Sequence, residues 1–123
     1  MANVFNDQKT FMKACDQSVD DYNNGQVALY ANLIDEEVKE FNQAYKHYDH
    51  KEMLDALIDI MVVTVGAIHS MGADGEGAWK EVMASNFNKI DRQTGKVRKR
   101  EDGKVLKPTG WTPPVLAPFV TKK

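Results

Sequence analysis

The spacing of hydrophobic residues predicts a helical protein over the first three quarters of the chain. Apolar residues recur every three or four positions up to about residue 90, which is the period of an amphipathic helix. Four helices are predicted, at about residues 7–19, 26–47, 51–71 and 76–89. The link at residues 47–50 is long enough only for antiparallel neighbours. The pattern therefore predicts an all-α fold with an antiparallel four-helix core at about residues 5–90.

Capping and turn residues predict where the first two helices begin. Asn6 or Asp7 is the expected N-cap of the first helix, because a short polar side chain there can accept a free backbone N–H. Asn23-Asn24-Gly25 is a turn signal, so the second helix is expected to start after it. The residues of the first helix that are expected to face the core are Phe11, Met12 and Cys15.

The segment after residue 91 loses the helical period. Two turn dipeptides, Thr94-Gly95 and Asp102-Gly103, adjoin short runs at 96–100 and 104–106, which predicts a short basic β-hairpin or an extended tail. Trp111 is expected to pack on the helical body. A chain of 123 residues is long enough to bury one core, so we expect a single domain whose tail covers about residues 91–123.

The formal net charge of −2 hides a strong asymmetry along the chain. Residues 1–91 contain 7 Lys and Arg against 16 Asp and Glu, whereas residues 92–123 contain 9 against 2. An acidic body with a basic tail can bind nucleic acid, close on its own acidic surface, or bind a phosphate-bearing substrate near a metal.

Three features of the sequence indicate a cytoplasmic protein with no membrane contact. Cys15 is the single cysteine, which excludes a disulfide within the chain and is typical of a reducing compartment. The first residues lack the basic and apolar regions of a signal peptide. The apolar run at 58–68 is short for a membrane span and is flanked by Asp55 and Asp59.

Acidic residues inside two apolar helices are the main chemical signal. On the second helix, Glu37 falls in the middle of the apolar stripe and Glu40 on its edge, while Glu36 lies nearer to solvent. On the third helix, Asp55 and Asp59 lie one turn apart on a single face. Two such helices packed antiparallel would bring these groups together.

These carboxylates predict a metal site. Burying a carboxylate is costly unless a positive charge compensates for it, and hard divalent cations prefer oxygen ligands. Because the ligands are all oxygens, Mg²⁺ or Mn²⁺ is expected rather than zinc, and His47 and His50 flank a loop. The predicted ligands are Glu37, Glu40, Asp55 and Asp59. Glu52 shares the face of the two aspartates and remains an alternative ligand.

The same residues carry a resemblance to a known family. The string 36–40, Glu-Glu-Val-Lys-Glu, resembles the Glu-Glu-x-x-Glu motif of the all-α NTP pyrophosphohydrolases, the MazG-like and phosphoribosyl-ATP pyrophosphohydrolase-like group. The second family motif is Glu-x-x-Asp. If Asp59 is its aspartate, Ala56 replaces the glutamate and Asp55 must serve, whereas if Asp55 is the aspartate, Glu52 is in register.

The resemblance extends over about residues 26–114. The string 85–89, Ser-Asn-Phe-Asn-Lys, is similar to the family's Asn-x-x-Lys element, which implies that Asn86 and Lys89 contact the nucleotide. The family implies Mg²⁺-dependent hydrolysis of a nucleoside triphosphate between its α- and β-phosphates, yielding a monophosphate and pyrophosphate. It also implies a homodimer or a dimer of dimers, and some members are encoded by bacteriophages.

The resemblance and the charge pattern together give roles to further residues. Glu36 would position or deprotonate the attacking water, or serve as another metal ligand. Lys104 and Lys107 would reach phosphates, in the same or in a neighbouring subunit. Phe5, Phe41 and Tyr45 would face a symmetric partner.

Three other functions remain open from the sequence. The basic tail, with Trp111 stacking on a base, fits a non-catalytic nucleic-acid-binding module, although the acidic body would repel a polyanion. A metal-stabilised helical interaction protein without turnover is a second alternative. Within the pyrophosphohydrolase hypothesis, phosphoribosyl-ATP is an alternative substrate, and the sequence does not specify a base or sugar preference.

Overall fold

The computed structural model of the protein describes residues 2–120. In that range the chain forms four α-helices and one short 3-10 turn. They are α1 Val4–Ala14, α2 Asn24–Lys46, α3 His50–Ser70, α4 Gly75–Phe87 and the 3-10 turn Ala117–Phe119. The predicted all-α class is confirmed.

The chain divides into two compact units. The N-terminal unit contains α1, α2 and α3 up to Gly75, together with Val120, and the C-terminal unit contains Glu76–Phe119. The expectation of one domain over the whole chain stays a prediction.

Within the N-terminal unit, α2 and α3 pack antiparallel. Near the start of α2, the Asn23 backbone N–H donates to the Ser70 carbonyl at the end of α3 over 2.8 Å. The Gln26 side-chain amide donates to the Ser70 hydroxyl, also over 2.8 Å. The turn between residues 47 and 49 joins the opposite ends of the two helices. The short link therefore predicts the helix arrangement correctly.

The core of the N-terminal unit lies where α1 and the α2–α3 pair meet. Its buried apolar side chains are Met12, Val19, Tyr30 and Val63, with Leu33, Ile34 and Ala67 partly buried against them. The Tyr30 hydroxyl donates to the Gln17 side chain over 2.6 Å, which satisfies the one polar atom of that ring. The apolar stripe of α2 thus faces α3, as its period predicts.

A buried histidine ties α1 to α3. The Nε2 atom of His69 lies 2.8 Å from the Phe5 carbonyl oxygen, and the two rings meet edge to face at 6.3 Å. Burial is the main reason that the pKa of His69 is lowered, so the neutral ring is favoured there.

The helices begin earlier than the sequence predicts, because asparagine and aspartate cap them one position outside the apolar pattern. Asn3, not Asn6 or Asp7, caps α1 by accepting the Asn6 backbone N–H. Asn23 caps α2 in the same way, so the predicted turn at 23–25 is in fact a helix start. Asp49 caps α3.

The first helix also ends earlier than predicted and faces the core with fewer residues. It stops at Ala14, since Asp16 adopts a left-handed conformation with φ 58° and the Gln17 N–H bonds back to the Met12 carbonyl. Met12 is fully buried as predicted, but Phe11 is 63% exposed and Cys15 is exposed. Both predictions fail because α1 is only three turns long and buries a narrow stripe.

The C-terminal unit begins with α4 and continues as turns and extended chain. The predicted basic β-hairpin is not formed: among the described residues, only isolated antiparallel bridges occur, between Ile90 and Val97 and between Lys99 and Val105. Each bridge closes a tight loop, and the adjacent run 96–100 is dense in like charges that disfavour a longer ladder. The extended-tail alternative fits residues 111–116.

The long apolar helix α3 satisfies the length and composition criteria of a membrane span. The length of the apolar run therefore does not by itself exclude a membrane, contrary to the expectation from the sequence. A core helix of a soluble protein meets the same criteria, so this is weak support for a membrane span.

We predict that Gly66→Ala destabilises the fold. A Cβ atom at this position would collide with the Tyr30 ring, which is only 5% exposed and cannot move aside. The expected loss is about 1–3 kcal/mol in the free energy of unfolding, measured by chemical denaturation.

Gly25→Ala is the matched control. Its Cβ would meet the nearest atom at an ordinary 3.8 Å in the first turn of α2, so stability should be unchanged or higher by up to about 1 kcal/mol. Equal stability of the two variants would contradict the close packing of α2 on α3.

Candidate metal centre

Three carboxylates converge between α2 and α3. Glu37 and Glu40 come from α2 and Asp59 comes from α3, and one oxygen atom from each lies within 4.8 Å of the others. Glu37 and Asp59 are half-buried, and Glu40 is exposed. The antiparallel packing of the two helices therefore brings together residues that are 22 positions apart in sequence.

Glu37 is the most constrained member of the cluster. Its Oε2 atom is buried, and no hydrogen-bond partner lies near it among residues 2–120. A buried carboxylate oxygen without a donor is unfavourable unless a cation or solvent satisfies it. The orphaned oxygen and the all-oxygen donor set therefore fit a hard divalent cation.

The electrostatics of the cluster point the same way. Burial, followed by the Glu40 carboxyl, which can share a proton with it, raises the pKa of Glu37 to about 7. The negative charges of Asp59 and Asp55 add to this rise. The pKa of Asp59 is also raised, by burial first and then by the charges of Asp55 and Glu40. Without a compensating cation, these carboxylates resist being ionised together.

Asp55 lies beside the cluster rather than within its tight triad. Its side chain is exposed, and its charge acts on both Glu37 and Asp59. It lines an open cleft of about 400 Å³ together with Glu40 and Glu52. Both Asp55 and Glu52 thus border the same cleft, and their roles as ligands stay predictions.

The same cleft includes Gln43 on α2 and His47, the C-cap of that helix; the sequence pattern did not single out Gln43 and placed His47 beside a loop. Gln43 and His47 line it, and their side chains lie 3.4 Å apart. They follow Glu40 by three and seven positions, which places all three on one helix face. The helical period from Glu40 was the signal that could have identified them.

Glu36 has an exposed side chain beside the cluster in sequence. Its predicted part in activating water stays a prediction.

The predicted substrate-binding residues all belong to the C-terminal unit. The Lys89 ammonium group donates to the Asn86 side-chain oxygen over 3.1 Å. Lys89 and Lys107 both approach the Trp111 ring. Lys104 is exposed and bonds through its backbone to Arg100 and Asp102. All four residues thus have described neighbours, and their roles in binding stay predictions.

The sequence matches the phosphoribosyl-ATP pyrophosphohydrolase family over residues 8–86, about two thirds of the chain. The chain belongs to this family. The match lies within the MazG-like all-α NTP pyrophosphohydrolase superfamily, as the resemblance predicts. No curated protein matches the chain.

Membership in the phosphoribosyl-ATP pyrophosphohydrolase family establishes the general chemistry. The protein is a nucleotide pyrophosphohydrolase, a hydrolase that acts on acid anhydrides. The family is typically metal-dependent, in agreement with the acidic cluster. The matched range contains α2 and α3 with all four predicted metal ligands, and it ends at Asn86, before Lys89, Lys104 and Lys107.

We predict that Glu37→Gln raises thermal stability in EDTA at pH 8. The folded chain holds the Glu37 proton up to about pH 7, whereas the unfolded chain releases it near the ordinary value of 4.5. This carboxyl therefore stabilises the fold least above pH 7, where it is charged in both states. The Tm of the variant should exceed that of wild type by a few degrees, on the order of 4 °C, with the gap closing toward pH 5.

Asp35→Asn is the control, since Asp35 is exposed on the solvated side of α2. It should leave the pH dependence of Tm unchanged. Added Mn²⁺ or Mg²⁺ should raise the Tm of wild type more than that of Glu37→Gln. A Glu37→Gln variant no more stable than wild type at pH 8 in EDTA would contradict the crowding of charge at this site.

Proposed function

We propose that the protein is a Mg²⁺-dependent nucleoside triphosphate pyrophosphohydrolase that cleaves between the α- and β-phosphates, with Mn²⁺ able to substitute. The observation that carries this proposal is the convergence of Glu37, Glu40 and Asp59 around a buried Glu37 oxygen that has no hydrogen-bond partner within residues 2–120. The products would be a nucleoside monophosphate and pyrophosphate.

Each acidic residue has a part in this proposal. Glu37, Glu40 and Asp59 would hold the cation, with Asp55 or Glu52 completing the set from the bordering cleft. A bound divalent cation supplies Lewis-acid stabilisation of the phosphate charge that builds up in the transition state.

Glu36 is the proposed general base. It directly precedes Glu37 in the sequence and its side chain is exposed, so water can reach its carboxylate. Its alternative part is a further cation ligand.

The substrate is proposed to be a ribo- or deoxynucleoside triphosphate, with phosphoribosyl-ATP as the alternative. The cleft beside Glu40 combines carboxylates with the neutral Gln43 and Ala44, a lining that can contact a base or sugar. In the C-terminal unit, Asn86, Lys89, Lys104 and Lys107 are proposed to bind the substrate and offset its negative charge. The family description names phosphoribosyl-ATP, which favours keeping that alternative.

A homodimer or homotetramer is also proposed. Five apolar side chains on α3 are each more than one third exposed: Leu54, Leu57, Ile58, Met61 and Val62. Exposing a contiguous apolar face of this kind to water is unfavourable unless another surface covers it. In a symmetric assembly, the same apolar face of α3 on a second copy of the chain can cover it. Of the aromatic residues expected to face a partner, Tyr45 is exposed and stacks on the half-buried Phe41, while Phe5 packs on His69.

The reaction is tested by pyrophosphate release from a panel of ribo- and deoxynucleoside triphosphates and phosphoribosyl-ATP, with Mg²⁺, Mn²⁺ or EDTA. We expect metal-dependent release with a marked preference for one nucleotide. Glu40→Gln and Asp59→Asn should each lower kcat/KM at least about 100-fold, since direct ligands matter more than the groups that support them. Asp35→Asn should retain wild-type activity. Wild-type activity in Glu40→Gln or in Asp59→Asn would contradict the proposed role of that residue.

The assembly is tested by sedimentation at micromolar concentration. Ile58→Lys places a charge in the middle of the exposed α3 face and should shift the protein to a monomer. Asn42→Lys adds the same charge on the solvated side of α2 and should leave the assembly intact. A monomeric wild-type protein would overturn the proposed association.

A further inference from the structure

Trp111 occupies a fixed position in the C-terminal unit. Its indole N–H donates to the Ser85 carbonyl near the end of α4 over 2.8 Å. A tight turn delivers the ring to this place: the Trp111 backbone N–H donates to the Pro108 carbonyl over 3.1 Å. Gly110 at the third position of that turn has φ 83°, a conformation that side chains rarely adopt. The ring is therefore anchored from its backbone and from its polar edge.

Two lysine side chains meet on this ring. The Lys89 ammonium nitrogen lies 5.0 Å from the ring centroid, and that of Lys107 lies 4.9 Å from it. The two nitrogens are thus at most about 10 Å apart, although the residues are 18 positions apart in sequence. Like charges repel at this distance, and the negative face of an indole offsets part of that repulsion.

Among residues 2–120, the described neighbours of the two ammonium groups are neutral. Lys89 donates to the Asn86 amide oxygen, which is a neutral acceptor, and the indole is neutral as well. An open cleft of about 660 Å³ borders Trp111 and is also lined by Arg92, a third cation. Asp91 lines that cleft too, so the cleft itself is mixed in charge, and the cationic feature is the lysine pair on the ring. A pair of cations held together in this way is suited to an anion that carries several charges, such as a polyphosphate.

We propose that Trp111 is a positioning residue that holds Lys89 and Lys107 together as one polyphosphate-binding pair. This inference rests on the proposed function, because it assigns the pair to the phosphate chain of the nucleotide. Trp111 and Lys107 lie beyond residue 86, where the family match ends. Trp111 acts through the two lysines and touches no reacting atom.

The first test uses pyrophosphate as the probe and needs no turnover. In a Trp79→Phe background, Trp111 is the single tryptophan, so its fluorescence reports on its own surroundings. Titration with pyrophosphate in EDTA should give a saturable change in Trp111 fluorescence. Lys89→Gln and Lys107→Gln should each raise the apparent Kd about tenfold or more, whereas Lys99→Gln, an exposed lysine of the same segment, should not.

The second test separates positioning from a purely structural part. Trp111→Leu should raise the KM for the nucleotide and the Kd for pyrophosphate about tenfold, with kcat changed less than about threefold. Trp111→Phe keeps a ring face but loses the N–H, so it should recover part of that loss. Circular dichroism of each variant establishes that α4 and the rest of the helices are retained.

The outcomes distinguish this inference from the proposed function. Pyrophosphate binding that depends on Lys89, Lys107 and Trp111 supports the inference even if no triphosphate is hydrolysed. An active enzyme whose pyrophosphate affinity and KM are unchanged in Trp111→Leu overturns the inference and leaves the proposed reaction intact. If Lys99→Gln weakens pyrophosphate binding as much as Lys89→Gln and Lys107→Gln do, the inference is also overturned, because the loss would then reflect only the lower net positive charge.

Discussion

The packing of the N-terminal unit must accommodate repulsion between the carboxylates of α2 and those of α3. Helix packing holds Glu37, Glu40 and Asp59 within 4.8 Å of one another. It also buries one Glu37 oxygen that has no hydrogen-bond partner in the described part of the chain. Elsewhere along the same pair of helices, the buried Tyr30 ring packs directly against Gly66, so α2 and α3 are in close contact. The fold therefore holds an unfavourable interaction at one place, which a bound cation would relieve.

The candidate binding residues of the two units carry opposite charges. The N-terminal unit supplies negative groups suited to a cation, and the C-terminal unit supplies lysines suited to phosphate. A nucleic-acid-binding module would use only the lysines of the C-terminal unit. It would not explain why carboxylates converge at the buried Glu37 oxygen. Membership in a pyrophosphohydrolase family accounts for the acidic set, because the family is typically metal-dependent.

Sequence reasoning predicted the acidic cluster because helical periodicity is local and regular. Glu37, Glu40 and Asp59 could be placed on facing stripes by counting residues, and the short link between the helices fixed their antiparallel order. Periodicity alone could not predict that Phe11 and Cys15 are exposed, since the width of the buried stripe depends on what packs against α1. The meeting of Lys89 and Lys107 on Trp111 was also hidden, because irregular chain has no period from which to infer contacts.

The central claim is that the cluster serves attack on the α-phosphorus, and hydrolysis in ¹⁸O-labelled water tests it most directly. The nucleotide that the protein hydrolyses best would be converted with Mg²⁺, and each product examined by mass spectrometry. We expect the label to enter the nucleoside monophosphate, pyrophosphate to remain unlabelled, and EDTA to stop the reaction. Label in pyrophosphate, release of orthophosphate, or full activity in EDTA would contradict it.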